Sequence, residues 1–202
     1  MTRLRRDHVT PWMRIAAVTT VALAPFGPGA AWATGLDIAQ ARQSMVGAWT
    51  GKLEYLDYGA KRWFGIDVKV VVEDQGDGVT LLRKADFDDG PKVGNVRITS
   101  ISMFDPAKSQ THDAAFRKGR DVSLDTWSVH LADGTTDSEH WVMVEELKGE
   151  DDNRPARLRE TTTRNGASMI TLKEVEFLDD PKQEWIQRNR ITLMRTPSSP
   201  HP

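Results

Sequence analysis

The chain has 202 residues, contains no cysteine and carries a formal net charge of −2 at pH 7. This length suffices for one domain with a sizeable core. The lack of cysteine excludes disulfides, thiolate catalysis and lipid attachment at an N-terminal cysteine, and the acidic balance argues against nucleic acid or an anionic membrane surface as the main partner.

The first 33 residues predict a signal peptide that is cleaved after Ala33. Arginines give this segment a basic start, residues 15–26 form a short apolar run, and small residues stand at positions 31 and 33. An uncleaved anchor is the weaker alternative, because the run is shorter than the roughly 20 residues of a membrane-spanning helix. We expect a periplasmic or secreted protein without stable membrane insertion after cleavage. The sequence leaves open whether export uses the Sec or the twin-arginine route.

Residues 34–46 predict a short helical lead-in, because Asp37 and Gln40 have the spacing of a helix N-terminal cap. From there on, apolar and polar residues alternate, and turn residues separate the runs. The runs predict strands at 49–58, 63–73, 79–87, 96–104, near 112–116, and at 122–131, 140–147, 156–164, 168–178 and 184–195. The proline- and serine-rich segment 196–202 is expected to be a disordered tail.

Many short strands joined by short connections predict an all-β fold. We expect an antiparallel up-and-down barrel of 8–10 strands over residues 47–195, preceded by the short N-terminal helix. A membrane-spanning barrel is disfavoured because charged side chains recur at positions that would face lipid. These are Lys52, Glu54, Lys69, Arg97 and Arg159.

The segment Gly47-Ala48-Trp49 opens the first strand directly after the predicted helix. A short helix followed by Gly-x-Trp at the start of an up-and-down barrel resembles the lipocalin-like (calycin) superfamily, here as a secreted bacterial member of unknown function. The resemblance implies that Trp49 closes the barrel floor and that a basic residue of the last strand packs across its ring. Arg195 is the expected partner, with Arg190 as the alternative. Gly47, Trp49 and Arg195 are therefore assigned structural roles.

The dipeptide Asn165-Gly166 predicts a two-residue hairpin that sets Arg164 opposite Ala167. Counting back along both strands then sets residue 160 opposite residue 171. Centring the longer loops on either side sets residue 145 opposite 160 and residue 173 opposite 189.

If Trp141 and its apolar neighbours point inward, the polar residues at these positions do too. The predicted ligand-binding residues are Glu145, Glu160, Lys173, Asn189, Trp141 and Tyr55. The opposite wall is expected to be apolar, lined from the earlier strands. The reverse orientation stays open, because a one-residue slip would turn these polar side chains outward and leave only a surface salt bridge between Glu160 and Lys173.

A lumen with one apolar and one charged wall suits a small amphipathic molecule. The sequence therefore predicts a carrier or sensor of a small apolar or amphipathic ligand rather than an enzyme, and no catalytic residue is assigned. Two alternatives stay open. One is a barrel enzyme of the isomerase, cyclase or hydratase type, with Glu145, Glu160 or His140 as acid and base. The other is an envelope interaction protein with a packed barrel.

No metal site and no cofactor are predicted. The histidines at 112, 130 and 140 lack the short spacings of common metal-binding pairs. Some ten-stranded relatives in the resembled superfamily bind haem, and this leaves His140 or His130 as the alternative axial ligand.

Overall fold

The structure, a computed structural model, describes residues 35–57 and 62–197. In this part the chain forms one helix, α1 (Ile38–Gln43), and ten strands. The strands are β1 (Gly47–Asp57), β2 (Arg62–Asp74), β3 (Thr80–Asp88), β4 (Asn95–Asp105), β5 (Gln110–Arg117), β6 (Ser123–Leu131), β7 (His140–Asp151), β8 (Arg154–Asn165), β9 (Ser168–Phe177) and β10 (Ile186–Arg195). The predicted signal peptide, residues 1–33, lies outside the described residues, as do residues 198–202 of the predicted tail.

The ten strands form a closed antiparallel barrel, in which each strand pairs with its neighbour in sequence and β1 pairs with β10. This confirms the predicted all-β barrel with a short N-terminal helix. Side chains alternate between the lumen and the outside as a pleated strand requires. On β2, for example, Val68, Val70 and Val72 are buried, whereas Lys69 and Val71 are exposed.

Helix α1 forms where its cap was predicted. The backbone N–H of Gln40 donates to Oδ1 of Asp37 at 2.7 Å, and the backbone N–H of Asp37 donates to Oε1 of Gln40 at 3.1 Å. Ala41 is fully buried in the main apolar cluster, so the helix covers the end of the barrel at which β1 begins. None of the helical structure in the described residues is long and apolar enough to cross a membrane.

The predicted pairing of Arg164 with Ala167 is wrong, because Arg164 pairs with Met169. The two central residues of the hairpin between β8 and β9 are Gly166 and Ala167, and Asn165 is the last residue of β8. Gly166 has a φ of 57°, which fits a hairpin with glycine at its first central position. The same dipeptide therefore closes the hairpin one position later than predicted, and the register shifts by two residues.

This shift places Glu160 opposite Lys173 instead of Thr171. Because side chains alternate with a period of two, a two-residue shift leaves the predicted inward set unchanged. Val175 on β9 is fully buried and Ile170 is 40% exposed, so the odd-numbered residues of β9 face the lumen. The reverse orientation of this strand is therefore wrong.

The hairpin between β7 and β8 turns on Asp152 and Asn153, which have φ values of 52° and 59°. Aspartate and asparagine tolerate this left-handed region better than most residues. The tight turn sets Glu145 opposite Glu160, as predicted.

Two apolar clusters fill parts of the lumen. The larger one includes Trp49, Trp141 and Met169 near α1, and the smaller one includes Leu158 and Val175. Along β8 and β9, the inward residues at positions 160 and 162 on β8 and at 171 and 173 on β9 are polar and lie between these two clusters. The polar part of the lumen is thus set between two apolar layers.

Candidate functional site

A cavity of about 420 Å³ lies inside the barrel. Its volume is in the range of small-molecule sites in proteins. Apolar and hydroxyl-bearing side chains form most of the wall, but six of the lining residues are charged: Arg42, Arg83, Asp113, Glu145, Glu160 and Lys173. A wall of this kind can bury an apolar body and hold a polar group at the same time.

Five of the six predicted ligand-binding residues form one continuous row across β1, β10, β9, β8 and β7. Tyr55 pairs with Asn189, Asn189 with Lys173, Lys173 with Glu160, and Glu160 with Glu145. All five line the cavity. Directly paired side chains on one face of a sheet lie close enough to interact, so the row is a single polar strip on the cavity wall.

Trp141, the sixth predicted residue, is placed elsewhere. Its side chain is 1% exposed, does not line the cavity, and donates from Nε1 to Oγ of Ser44 at 2.9 Å and to the carbonyl of Ser138 at 3.2 Å. Trp141 therefore belongs to the closed end of the barrel, where α1 joins β1.

Trp49 is the centre of this closed end. Its ring is stacked by the guanidinium groups of Arg195, at 4.5 Å, and of Arg164, at 4.6 Å. Arg195 also donates to the carbonyls of Ser44 and Val46, at 2.7 and 2.9 Å. The alternative partner, Arg190, instead pairs with Glu54 and stacks on Trp63. Arg195 thus makes the contact that the superfamily resemblance implies, and Arg164 adds a second cation that the sequence did not predict.

Three charged lining residues were missed from sequence: Arg42, Arg83 and Asp113. The position of Arg83 had a readable signal, because it shares the inward parity of Leu81, Ala85 and Phe87 on β3. Asp113 lies two residues after the buried Thr111 on β5, so its side chain is expected on the same inward face. Arg42 belongs to a helix, and only the docking of α1 onto the barrel brings it into the lumen.

The inner end of the cavity holds a small polar network around Arg42, whose side chain is only 4% exposed. Its Nη2 donates to the carbonyl and to Oγ of Ser102, at 3.1 and 2.8 Å, and its Nη1 lies 4.0 Å from Oε1 of Glu145. Thr111 donates to the same Glu145 oxygen at 3.2 Å. Within the described residues, Nε of Arg42 and Oδ1 of Asp113 are buried without a hydrogen-bond partner.

Burial dominates the titration of the acidic groups in the cavity. Burial, followed by the opposed carboxylate of Glu160, raises the pKa of Glu145 from 4.5 to about 7, against the attraction of Arg42. Burial also raises the pKa of Glu160, against the attraction of Lys173 and Arg83, and it raises the pKa of Asp113. Two directly paired carboxyl groups in a low-dielectric lumen tend to share a proton near neutral pH.

The mouth of the cavity is marked by an aromatic pair. Tyr55 and Phe64 stack with ring centroids 5.6 Å apart, and they are 38% and 55% exposed. A smaller surface depression beside them shares Lys173 and Asn189 with the cavity. The polar row therefore extends from the interior to the entrance.

The two histidines named as alternative haem ligands, His130 and His140, do not line this cavity. Both are exposed, and His140 contacts Asp137 at 3.0 Å. No group of three or more histidine, aspartate or glutamate side chains is arranged to hold a metal ion in residues 35–57 and 62–197.

Comparison with protein-family models and with curated proteins gives no match. Among solved structures, the chain is similar to the crystal structure of Rv2717c from M. tuberculosis, with a TM-score of 0.53 and 14% sequence identity, covering 80% of this chain and 99% of that chain. At this level of identity the similarity concerns the fold alone. The described residues thus form a ten-stranded closed barrel that is similar in fold to Rv2717c.

Proposed function

We propose that the protein is a periplasmic or secreted carrier or sensor of a small apolar or amphipathic ligand, which it holds in the barrel cavity. The observation that carries the proposal is the mixed wall of a cavity of about 420 Å³. Leu53, Phe87 and Ile191 offer an apolar surface, while the row from Tyr55 to Glu145 offers charged and amide groups. This combination suits an amphipathic molecule.

The unpaired polar atoms in the lumen support a ligand over a solidly packed barrel. Burying a charged group costs free energy unless its donors and acceptors are satisfied. Nε of Arg42 and Oδ1 of Asp113 are buried and have no hydrogen-bond partner in the described part of the chain. A polar group of a ligand, or a water molecule that accompanies it, would satisfy both.

Export and superfamily membership are also part of the proposal. Support for export is the leader pattern of a basic start, an apolar run and small residues before the expected cleavage point. Support for membership of the lipocalin-like superfamily is the stacking of Arg195 on Trp49 at the start of the first strand.

Native mass spectrometry tests the binding function directly. Protein purified gently from the periplasm or medium of an expression host is expected to carry an added mass that is lost on denaturation. An absorption spectrum of the same sample identifies coloured ligands. Protein without an added mass, and without a change in melting temperature in the presence of small amphiphiles, would contradict the proposal.

A cavity-filling variant gives the matched control. Thr171 lines the cavity on β9, whereas Thr163 is exposed on the outer face of β8. Thr171→Phe is expected to reduce the fraction of protein with bound ligand at least tenfold, because the larger ring occupies the ligand volume, and Thr163→Phe is expected to leave it unchanged. Equal occupancy in the two variants would place the ligand outside the barrel.

A further inference from the structure

Three basic side chains of the described residues line the cavity, and they differ in how they are paired. Arg42 is held by Ser102 and lies near Glu145. The side chains of Arg83 and Lys173 line the same cavity, yet neither side chain makes a hydrogen bond or an ion pair within 4.0 Å in residues 35–57 and 62–197. Two cationic groups thus face the cavity with free donors.

Glu160 is a compensating charge for both cations. Lys173 is directly opposite it on β9, and both Lys173 and Arg83 favour its ionised form electrostatically. The distance to each exceeds that of a direct ion pair, so Glu160 balances the charge of both groups without using their donors. Asn189 lies next to Lys173 in the same row and adds an amide donor.

The acidic and basic groups of the lumen respond differently to a proton. Arginine remains charged at all ordinary pH values. The lining carboxyl groups become neutral more easily than in water, because burial raises the pKa of each of them. The lining holds three basic and three acidic groups, so one bound proton makes the wall net positive. An anionic group in the cavity would neutralise this excess positive charge.

We infer that Arg83 and Lys173, assisted by Asn189, form a subsite for the anionic group of the ligand, and that the Glu145–Glu160 pair takes up a proton from solvent when this group binds. The inference rests on the proposed ligand-binding function. A sulfonate, carboxylate or phosphate has the required chemistry, since each accepts several hydrogen bonds from charged donors. Protonation removes the repulsion between the anion and Glu160.

The carboxyl pair is surrounded by charges from both sides of the barrel. Those facing it are Arg42 from α1, Arg83 from β3, Asp113 from β5, Asp125 from β6 and Lys173 from β9. An anion bound beside Arg83 and Lys173 offsets their positive charge. Both residues then favour the ionised form of Glu160 less strongly. Anion binding should therefore strengthen as the pH falls through about 7, the pKa to which burial and the opposed Glu160 raise Glu145.

Two fluorescent dyes with the same ring skeleton test the subsite. 1-Anilinonaphthalene-8-sulfonate carries a sulfonate, and N-phenyl-1-naphthylamine lacks it. At pH 6 the sulfonate dye is expected to bind at least tenfold more tightly than the neutral dye. The affinity of the sulfonate dye should fall toward pH 8.5, whereas that of the neutral dye should not depend on pH. Decyl sulfate, decanoate and decyl phosphate as competitors distinguish which anion the subsite prefers.

Substitutions then test which residues form the anion subsite. Arg83→Met and Lys173→Met are each expected to weaken binding of the sulfonate dye about tenfold, because each removes a charged hydrogen-bond donor to the anion. The neutral dye should still bind to both variants. Glu160→Gln, which imitates the protonated carboxyl, should tighten the sulfonate dye and flatten its pH dependence. Arg97→Met is the control, because Arg97 is exposed on the outer face of β4 and pairs with Asp86.

The outcomes separate the subsite from the general function. If neither dye enters the wild-type protein, the proposed ligand-binding function fails. If both dyes bind equally, or if Glu160→Gln weakens the sulfonate dye, the anion subsite is wrong while the binding cavity stands. Retention of the neutral dye shows that each variant is folded. Should Arg83→Met lose the fold, Lys173→Met and Glu160→Gln decide the question.

Discussion

Replacing Trp49 with alanine is expected to lower the free energy of unfolding by about 3–5 kcal/mol, the usual effect of removing a buried tryptophan. The side chain is 1% exposed and donates from Nε1 to the carbonyl of Met45 at 2.8 Å. The substitution also leaves the guanidinium groups of Arg164 and Arg195 facing a void in place of an aromatic ring. Urea denaturation followed by circular dichroism measures the loss.

The control for this prediction is Trp63→Ala. Trp63 is also stacked by an arginine, Arg190 at 4.4 Å, but it is only half-buried, on β2. Because less apolar area returns to water, its replacement should cost about 1–2 kcal/mol. Equal losses for the two variants would mean that Trp49 is not the centre of the closed end.

Glu145→Gln is expected to raise the free energy of unfolding at pH 8 by on the order of 3 kcal/mol and to leave it nearly unchanged at pH 4. Burial, followed by the opposed Glu160, raises the pKa of Glu145 from 4.5 to about 7. The folded protein therefore holds this proton more tightly than the unfolded chain, and it loses stability as the pH rises from about 4.5 to about 7. Glutamine has no proton to lose, so the variant avoids this loss.

Denaturation curves at a series of pH values measure the effect. The matched control is Glu150→Gln, since Glu150 is on the same strand but exposed to solvent, and its curve should run parallel to that of the wild type. A Glu145→Gln variant that is less stable than the wild type at pH 8 would show that the pairing of Glu145 with Arg42 outweighs burial.

Local alternation of side chains was sufficient to predict most of the barrel. The inward positions of Glu145, Lys173 and Asn189 follow from the period of two and from short loops, both of which are properties of nearby sequence. Register was less secure, because Asn165-Gly166 allows glycine to occupy either central position of the hairpin. The predicted register was wrong by two residues. This changed the pairing partner of Glu160 but not the face of the sheet to which its side chain points.

The inner end of the cavity depends on contacts between distant parts of the chain. Arg42 reaches the lumen because α1 docks on the barrel end, where it meets Ser102, 60 positions away. The second cation on Trp49, Arg164, lies beside the hairpin whose register was predicted wrongly by two residues. Trp141 was assigned to the ligand site by its parity alone, and parity does not say how far along the lumen a side chain lies.

The same carboxyl pair links the stability of the protein to its proposed activity. Glu145 and Glu160 lower the stability of the folded state at neutral pH, and glutamine at position 145 should relieve this. Groups that destabilise a fold are often retained at functional sites. A stabilised Glu145→Gln protein with altered dye binding would connect the two effects at a single residue.

The seam between β1 and β10 sets a limit on when the barrel can be completed during synthesis. Trp49 and Arg195 are paired there, and Arg195 bonds Val46, 149 positions earlier in the chain. Every nascent chain that ends before β10 leaves the edge of β1 without its partner and lacks the cation that joins the two ends. Unpaired strand edges promote association with other chains, so an incomplete chain needs protection until its last strand has emerged.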